Sequence, residues 1–343
     1  MKALLFQSPD APLTLEEVPL PPLEADQLRV RVRSAGICGT DLHFYLHDEL
    51  AQGRKLRYPY ILGHEMAGEV TEVGKKVTRF AVGDRVTTET HVPCGKCFYC
   101  LSDRPHICIS LESFAQKVGG VFAQYCRVPE GVARRLPEGV DFRLGSMMEP
   151  LGVAVRAVLE AECPGDTLLI TGCGPIGLMT IAVAKALGVG RIFASEVVPE
   201  RLQLAKKMGA DFLLDGGSSD AESLILAATQ GLGVGAWIEA SGSPSAILLG
   251  LRTIRKGGRA ILFGLGTKAT EMDVSKWIVS KELHLRGILG RRMFDTWMKM
   301  EMLVQRGALD LEPVMGESFP LERFRDAFAM ALSGKTGKIF LVP

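Results

Sequence analysis

The segment TLLITGCGPIGLMTIAVAKALG, residues 167–188, constrains the fold of this chain more than any other. A strand-like run, TLLIT, passes through a glycine-rich turn into an apolar helical stretch. Gly172 permits a tight turn, Gly174 lets a ligand approach the backbone, and Gly177 lets the helix pack closely on the strand. A run this apolar is covered on both sides only in a parallel sheet with helices on its faces. The glycines and Pro175 near its centre argue against reading Thr167 to Ala184 as a membrane span.

The alternation continues downstream. RIFAS, a helix from Pro199 to Met208, FLLD, GAWIEAS, RAILFG and LHLRGIL follow in turn, spaced by helical stretches. From about Leu151 the chain therefore reads as α/β, a doubly wound and mostly parallel sheet. Upstream the pattern differs. LRVRVR, from Leu28 to Arg33, alternates apolar and charged residues with the period of a strand wet on one face. Short β-like pieces follow at Gly68 to Val73 and Asp84 to Thr88, so this half reads as all-β or α+β. The segment from Leu311 to Pro343 ends in KIFLVP and carries no obvious chemistry. With 343 residues, 47% of them hydrophobic, two domains are expected.

In a G-x-G-x-x-G turn between strand and helix, a dinucleotide pyrophosphate meets the helix N-terminus. Gly172, Gly174, Pro175, Ile176 and Gly177 are the candidate contacts, with Leu265 beyond RAILFG. An acid about 20 residues on, at the end of the next strand, hydrogen-bonds a ribose hydroxyl, and Glu196 fits. Its charge would repel the extra phosphate of NADP and favours NAD. Arg201, five residues later, could flank the adenine or ribose and keeps NADP as the alternative.

CGKCFYCLSDRPHIC places Cys94, Cys97, Cys100 and Cys108 at offsets of three, three and eight. Four thiolates close a tetrahedral zinc site and leave no position for substrate, so this zinc is structural. Half of the eight cysteines lie here, and no secretory context favours disulfides. A second group of metal-ligand residues comprises Cys38, His64, Glu65 and Glu149. A net charge of +1 argues against nucleic acid as a partner. The amino terminus, MKALLFQSPDAPL, lacks the apolar run of a secretory signal, and a cytoplasmic location is expected.

GICGTDLH, LGHEMAG, GDRV, the CGKC-led lobe, MEP and the strand–glycine–helix unit occur in an order that resembles the zinc-dependent medium-chain alcohol and polyol dehydrogenases. The resemblance implies a GroES-like β-rich catalytic domain from residues 1–150 and 291–343, with the zinc lobe at about 90–110, interrupted by a Rossmann domain at 151–290. Cys38, His64 and Glu149 then match catalytic zinc ligands, with Glu65 close enough to ligate in exchange with water. One catalytic and one structural zinc are implied per chain. Thr40 matches the hydroxyl that receives the alcohol proton, and His43 the residue that passes it on. A homotetramer, or less often a dimer, is implied as well.

GICGTDLHFYLHDELAQG, TETHVPCGKC and GRRMFDTW are similar to the threonine dehydrogenase branch, in which His91 matches an active-site histidine. The expected reaction is oxidation of a secondary alcohol to a ketone with NAD, in that branch L-threonine to 2-amino-3-ketobutyrate. Glu149 or Glu65 would face the substrate ammonium, and Arg291 and Arg292 its carboxylate. EPLGVAVR departs from the branch, with Val153 and Arg156 where asparagine and often histidine are usual, so a sugar alcohol or vicinal diol is the alternative substrate. A non-catalytic zinc-binding relative is the remote one.

Overall fold

The computed structural model describes residues 1–53, 56–266 and 268–343. They form two compact units, one of residues 1–150, 316–333 and 338–343, the other of residues 151–315 and 334–337.

The first unit is built on a seven-stranded sheet. Its central strand, Gln27–Gly36, pairs antiparallel with Glu65–Val73, Tyr125–Pro129 and Lys338–Val342. Leu28, Val30 and Val32 are buried while Arg31 is exposed, which is the alternation that LRVRVR specifies. On the other face Arg29 meets Glu72 at 2.7 Å and Arg33 meets Glu69 at 2.5 Å, both across the strand pair. Strand Arg85–Thr88 continues the sheet beyond Glu65–Val73, with Ala67 opposite Thr87. The antiparallel register puts the end of Arg85–Thr88 beside the start of Glu65–Val73. The buried core includes Phe114, Phe122, Phe324, Phe328, Ile339 and Leu341, so residues far apart in sequence close one interior.

The second unit contains the doubly wound sheet. Six parallel strands run in the order Phe212–Asp215, Arg191–Glu196, Thr167–Thr171, Val234–Glu239, Ile254–Leu262 and His284–Gly287. Strand order reverses between Thr167–Thr171 and Val234–Glu239, the switch point at which such sheets bind ligands. Strand Thr167–Thr171 and helix Pro175–Ala186 account for the apolar run, and among the described residues no helix is long and apolar enough to cross a membrane.

Residues 291–315, expected with the terminal segment, group with the parallel-sheet unit. Packing is the reason. The Arg291 side chain occupies the space above Gly152 where a Cβ would lie, and Met300 Sδ is 3.7 Å from the same point. Helix Asp295–Gln305 then buries Thr296, Trp297 and Met300.

Candidate active site and metal centres

Cys38 follows the central strand and precedes helix Gly39–Leu46, while His64 and Glu65 stand at the start of strand Glu65–Val73. Because these two strands pair with Gly36 opposite Glu65, their ends bring ligand atoms of Cys38, His64 and Glu65 within 4.8 Å of one another. Thiolate, imidazole and carboxylate are the donor types of a zinc site. Glu149 is buried on helix Phe142–Ala161 and close enough for its charge to raise the Glu65 pKa, but it falls outside that 4.8 Å group.

Two observations test whether the pocket suits a metal. Glu65 Oε1 is buried and meets no donor, while Oε2 has the Lys338 ammonium beside it. Burial pushes the Glu65 pKa up, against the opposing pull of Lys338, with which it forms a buried ion pair. Gly36 supplies the second observation, since a Cβ there would overlap Glu65 Oε2 and Lys338 Cε. The carboxylate thus sits in a cradle only glycine leaves open, with acceptor capacity to spare. Both features fit a cation.

Asp41 organises the other two donors. Its Oδ2 accepts from the Cys38 backbone N–H at 2.9 Å, and its Oδ1 lies 3.6 Å from His64 Nδ1. A carboxylate behind a ligating histidine fixes ring orientation and raises basicity. Burial disfavours a charged His64, but Asp41 and Cys38 outweigh it and hold its pKa well above the ordinary value. This is an electronegative pocket, suited to a cation.

Thr40 and His43, three apart on helix Gly39–Leu46, share a face. The Asp48 carboxylate divides its work. Oδ1 accepts from Leu50 N at 3.0 Å and Ala51 N at 3.2 Å, capping helix Glu49–Gln52, while Oδ2 holds His43 Nδ1. His91 is anchored by Glu89 and by pairing of its short strand with Ser113.

Cys94, Cys97, Cys100 and Cys108 converge in the same unit. The Sγ separations are 3.5 Å for Cys97–Cys100, 3.7 Å for Cys97–Cys108 and 4.0 Å for Cys94–Cys100. A zinc tetrahedron with Zn–S bonds of about 2.3 Å has edges of about 3.8 Å. The four sulfurs fit it. Backbone N–H groups of Cys100 and Ile109 hold the Cys97 thiol down, to about 6, which readies a thiolate for the metal.

In the second unit Gly172 adopts φ +91, and a Cβ at Gly177 would overlap the Gly172 carbonyl. Pro175 opens helix Pro175–Ala186, where its missing N–H costs nothing, and Ile176 is half-buried beside it. Glu196 Oε2 accepts from the Cys173 N–H at 2.8 Å, and Oε1 accepts from Val197 N at 2.8 Å and Val198 N at 3.2 Å. Arg201 Nη1 lies 3.7 Å from Glu196 Oε2, and Leu265 is exposed after strand Ile254–Leu262. Arg156 is buried and engaged with Glu160 Oε1 at 2.8 Å and the Leu289 carbonyl at 2.8 Å, so its role is internal packing of this unit. Arg291 is likewise buried there.

Asp41, Asp48, Glu89 and Lys338 were not evident as site residues from the sequence. Glu89 carried a faint signal, two residues before His91 and so on the same face of an extended segment. Lys338 carried another, a lone charge opening the apolar run KIFLV.

The profile of the alcohol dehydrogenase GroES-like domain matches residues 24–138, and that of zinc-binding dehydrogenases matches residues 175–306. The L-threonine 3-dehydrogenase of Bacillus subtilis (strain 168) is 39% identical over 343 residues, covering 100% of this chain and 99% of that protein. Among solved structures, an alcohol dehydrogenase of E. coli CFT073 complexed with NADH superposes with a TM-score of 0.90 at 28% identity, covering 100% of this chain and 99% of the other. Galactitol-1-phosphate dehydrogenase of Escherichia coli gives 0.90 at 26% identity, with both chains covered 100%. With its paired GroES-like and Rossmann units, this chain belongs to the zinc-dependent medium-chain alcohol dehydrogenases and is an oxidoreductase of that family.

Proposed function

We propose that the enzyme oxidises L-threonine at its secondary alcohol to 2-amino-3-ketobutyrate, with NAD as the oxidant. The observation that carries this reading is the end-to-end likeness, at 39% identity, to an L-threonine 3-dehydrogenase. In the proposed site Cys38, His64 and a carboxylate, Glu65 or Glu149 in exchange, hold a catalytic zinc. Cys94, Cys97, Cys100 and Cys108 hold a structural one. Zinc at the first site supplies Lewis acidity, which lowers the pKa of an alcohol, and NAD supplies the hydride acceptor.

The chain's own residues do the rest. Thr40 takes the alcohol proton through its hydroxyl. His43, fixed at Nδ1 by Asp48, passes the proton onward through Nε2 toward solvent. His91 contacts the substrate. Gly172, Gly174, Pro175, Ile176 and Gly177 receive the pyrophosphate, with Arg201 and Leu265 flanking the cofactor. The negative charge of Glu196 disfavours a 2′-phosphate and supports NAD over NADP. A cytoplasmic homotetramer is the proposed form.

A second reading, a sugar-alcohol or vicinal-diol dehydrogenase, is favoured by Val153, which stands where the threonine branch usually has asparagine, and by the likeness to galactitol-1-phosphate dehydrogenase. A single panel separates the two. Zinc-loaded enzyme with NAD is offered L-threonine, sorbitol, arabinitol and 2,3-butanediol, and NADH formation is followed. A kcat/KM for L-threonine above that of every polyol is expected, and a polyol preference refutes the threonine reading.

A further inference from the structure

Glu89 is a fully buried carboxylate two residues from His91. Its Oε1 accepts from the His91 backbone N–H at 2.9 Å and lies 2.8 Å from His91 Nδ1. Oε1 already accepts from the backbone N–H, and in the same accepting role toward the ring it accepts from Nδ1–H. On that tautomer of a neutral ring, Nε2 carries no proton. One oxygen bonded to both the backbone and the ring of the same residue leaves the imidazole little freedom to rotate.

The place of this pair gives it a function. Strand Arg85–Thr88 runs antiparallel to Glu65–Val73 and ends beside the start of that strand, where His64 and Glu65 lie. Glu89 and His91 follow directly. On the far side His91 pairs with Ser113, and the Phe114 N–H donates to the Thr90 carbonyl at 2.6 Å, so the pair is clamped between the main sheet and the start of the cysteine lobe. A rigid imidazole at this end of the sheet is a specificity element rather than a mobile proton carrier.

We propose that Glu89 is a positioning residue that locks His91 as the Nδ1–H tautomer, so that Nε2 accepts a hydrogen bond from the substrate beside its reacting carbinol. The pair selects alcohols carrying a donor at that position, an ammonium above all, because the charge of Glu89 behind the ring favours a cation in front of it. The inference rests on the reading of His91 as a substrate contact and deepens it, from one named substrate to a chemical rule for what the pocket takes.

The test uses the full-length holoenzyme labelled with ¹⁵N-histidine, with His91→Asn to assign the His91 ring signals, alongside Glu89→Gln and Glu89→Ala. Gln keeps a carbonyl acceptor for Nδ1–H and loses the charge, whereas Ala loses both. Wild type and Glu89→Gln should show protonated Nδ1 and bare Nε2, and Glu89→Ala a mixture of tautomers. For L-threonine, Glu89→Ala should raise KM roughly tenfold or more, the loss of one charge-assisted contact, with kcat within about twofold. Glu89→Gln should fall between it and wild type, and KM for 2-butanol, which lacks a second donor, should not move. A protonated Nε2 in wild type, unchanged ring signals in Glu89→Ala, or equal KM shifts for both alcohols overturns the proposal. If Glu89→Ala does not fold, the wild-type and Glu89→Gln spectra decide, since both must show the Nδ1–H form. If wild type ignores L-threonine and oxidises another alcohol, the threonine reading fails alone, and the ring spectra judge the pair by the same criteria.

Discussion

Replacing Lys338 by Met in zinc-free protein isolates the electrostatics of the candidate metal pocket. The Glu65 and Lys338 side chains are 1% and 3% exposed and form a buried, charge-assisted ion pair. Without Lys338 the carboxylate has two courses. It can stay charged and unpaired, at about 3–5 kcal/mol, or take up a proton. Protonation costs about 1.36 kcal/mol for each pH unit above its unfolded value of 4.5, which is about 4 kcal/mol at pH 7.5 and about 2 kcal/mol at pH 6. The cheaper course sets the loss. The sign follows from the direction of the shift: a carboxyl whose folded pKa is raised destabilises the fold above its unfolded pKa, and the penalty recedes as pH falls toward 4.5. Trp237, Trp277 and Trp297 all lie in the other unit, so tryptophan fluorescence does not report on this site. Hydrogen exchange of amides in strands Gln27–Gly36 and Lys338–Val342 does, and converts directly to free energy. Because the Glu65 pKa is already raised beside Lys338, wild type carries part of this cost, so the expected loss lies between about 1 and 4 kcal/mol at pH 7.5 and is smaller at pH 6. Adding Glu65→Gln should recover most of it, because no charge is then stranded. A loss below about 1 kcal/mol at pH 7.5, or one independent of pH, would refute the reasoning.

Three further results are expected. Gly36→Ala, whose Cβ displaces Glu65 and Lys338, should weaken zinc binding at the Cys38 group by roughly 10–100-fold in chelator competition, the usual cost of disturbing a ligand's support. Cys97→Ser should lower zinc content by one equivalent and open the segment between Cys94 and Cys108 to limited proteolysis, while the Cys38 group keeps its metal. Asp48→Asn and Asp48→Ala should both lower kcat by releasing His43, but only Ala should also cost about 1 kcal/mol in unfolding experiments through the lost helix cap. The Asp48 pKa is lowered in the fold, its bonds to His43 and to Ala51 outweighing desolvation, so its contribution is present above pH 3.8 and fades as pH falls through the folded value.

What the sequence made legible was what it encodes locally. The glycine turn, the cysteine lobe and the βα alternation each depend on residues a few positions apart, and the doubly wound sheet could be anticipated from them. Cys38, His64 and Glu65 stood out by residue type, but their convergence depends on the register of two strands that are distant in sequence. Lys338 shows in the sequence only as a lone charge opening KIFLVP; that it faces Glu65 depends on strand pairing that no local pattern announces. Arg156 is engaged by Glu160 and the Leu289 carbonyl, and the Arg291 side chain packs over Gly152, placements inside the second unit that depend on contacts distant in sequence. The division near residue 291 failed where Gly152 and Arg291 interlock, a contact that no pattern in either segment announces.

Lys338 also sets an order of events during synthesis. At about 5–20 residues per second, roughly 15–55 s separates the translation of Glu65 from that of its counter-charge. Every strand of the parallel sheet is made in that interval, so the second unit can complete its fold while Gln27–Gly36 still waits for the neighbour that Lys338–Val342 provides. Until that strand pairs, water can reach the Glu65 carboxylate, so its burial and the arrival of its counter-charge belong to one late step. Closure of the pocket that Cys38, His64 and Glu65 share is therefore among the last events in folding, whatever the order in which those three residues are made.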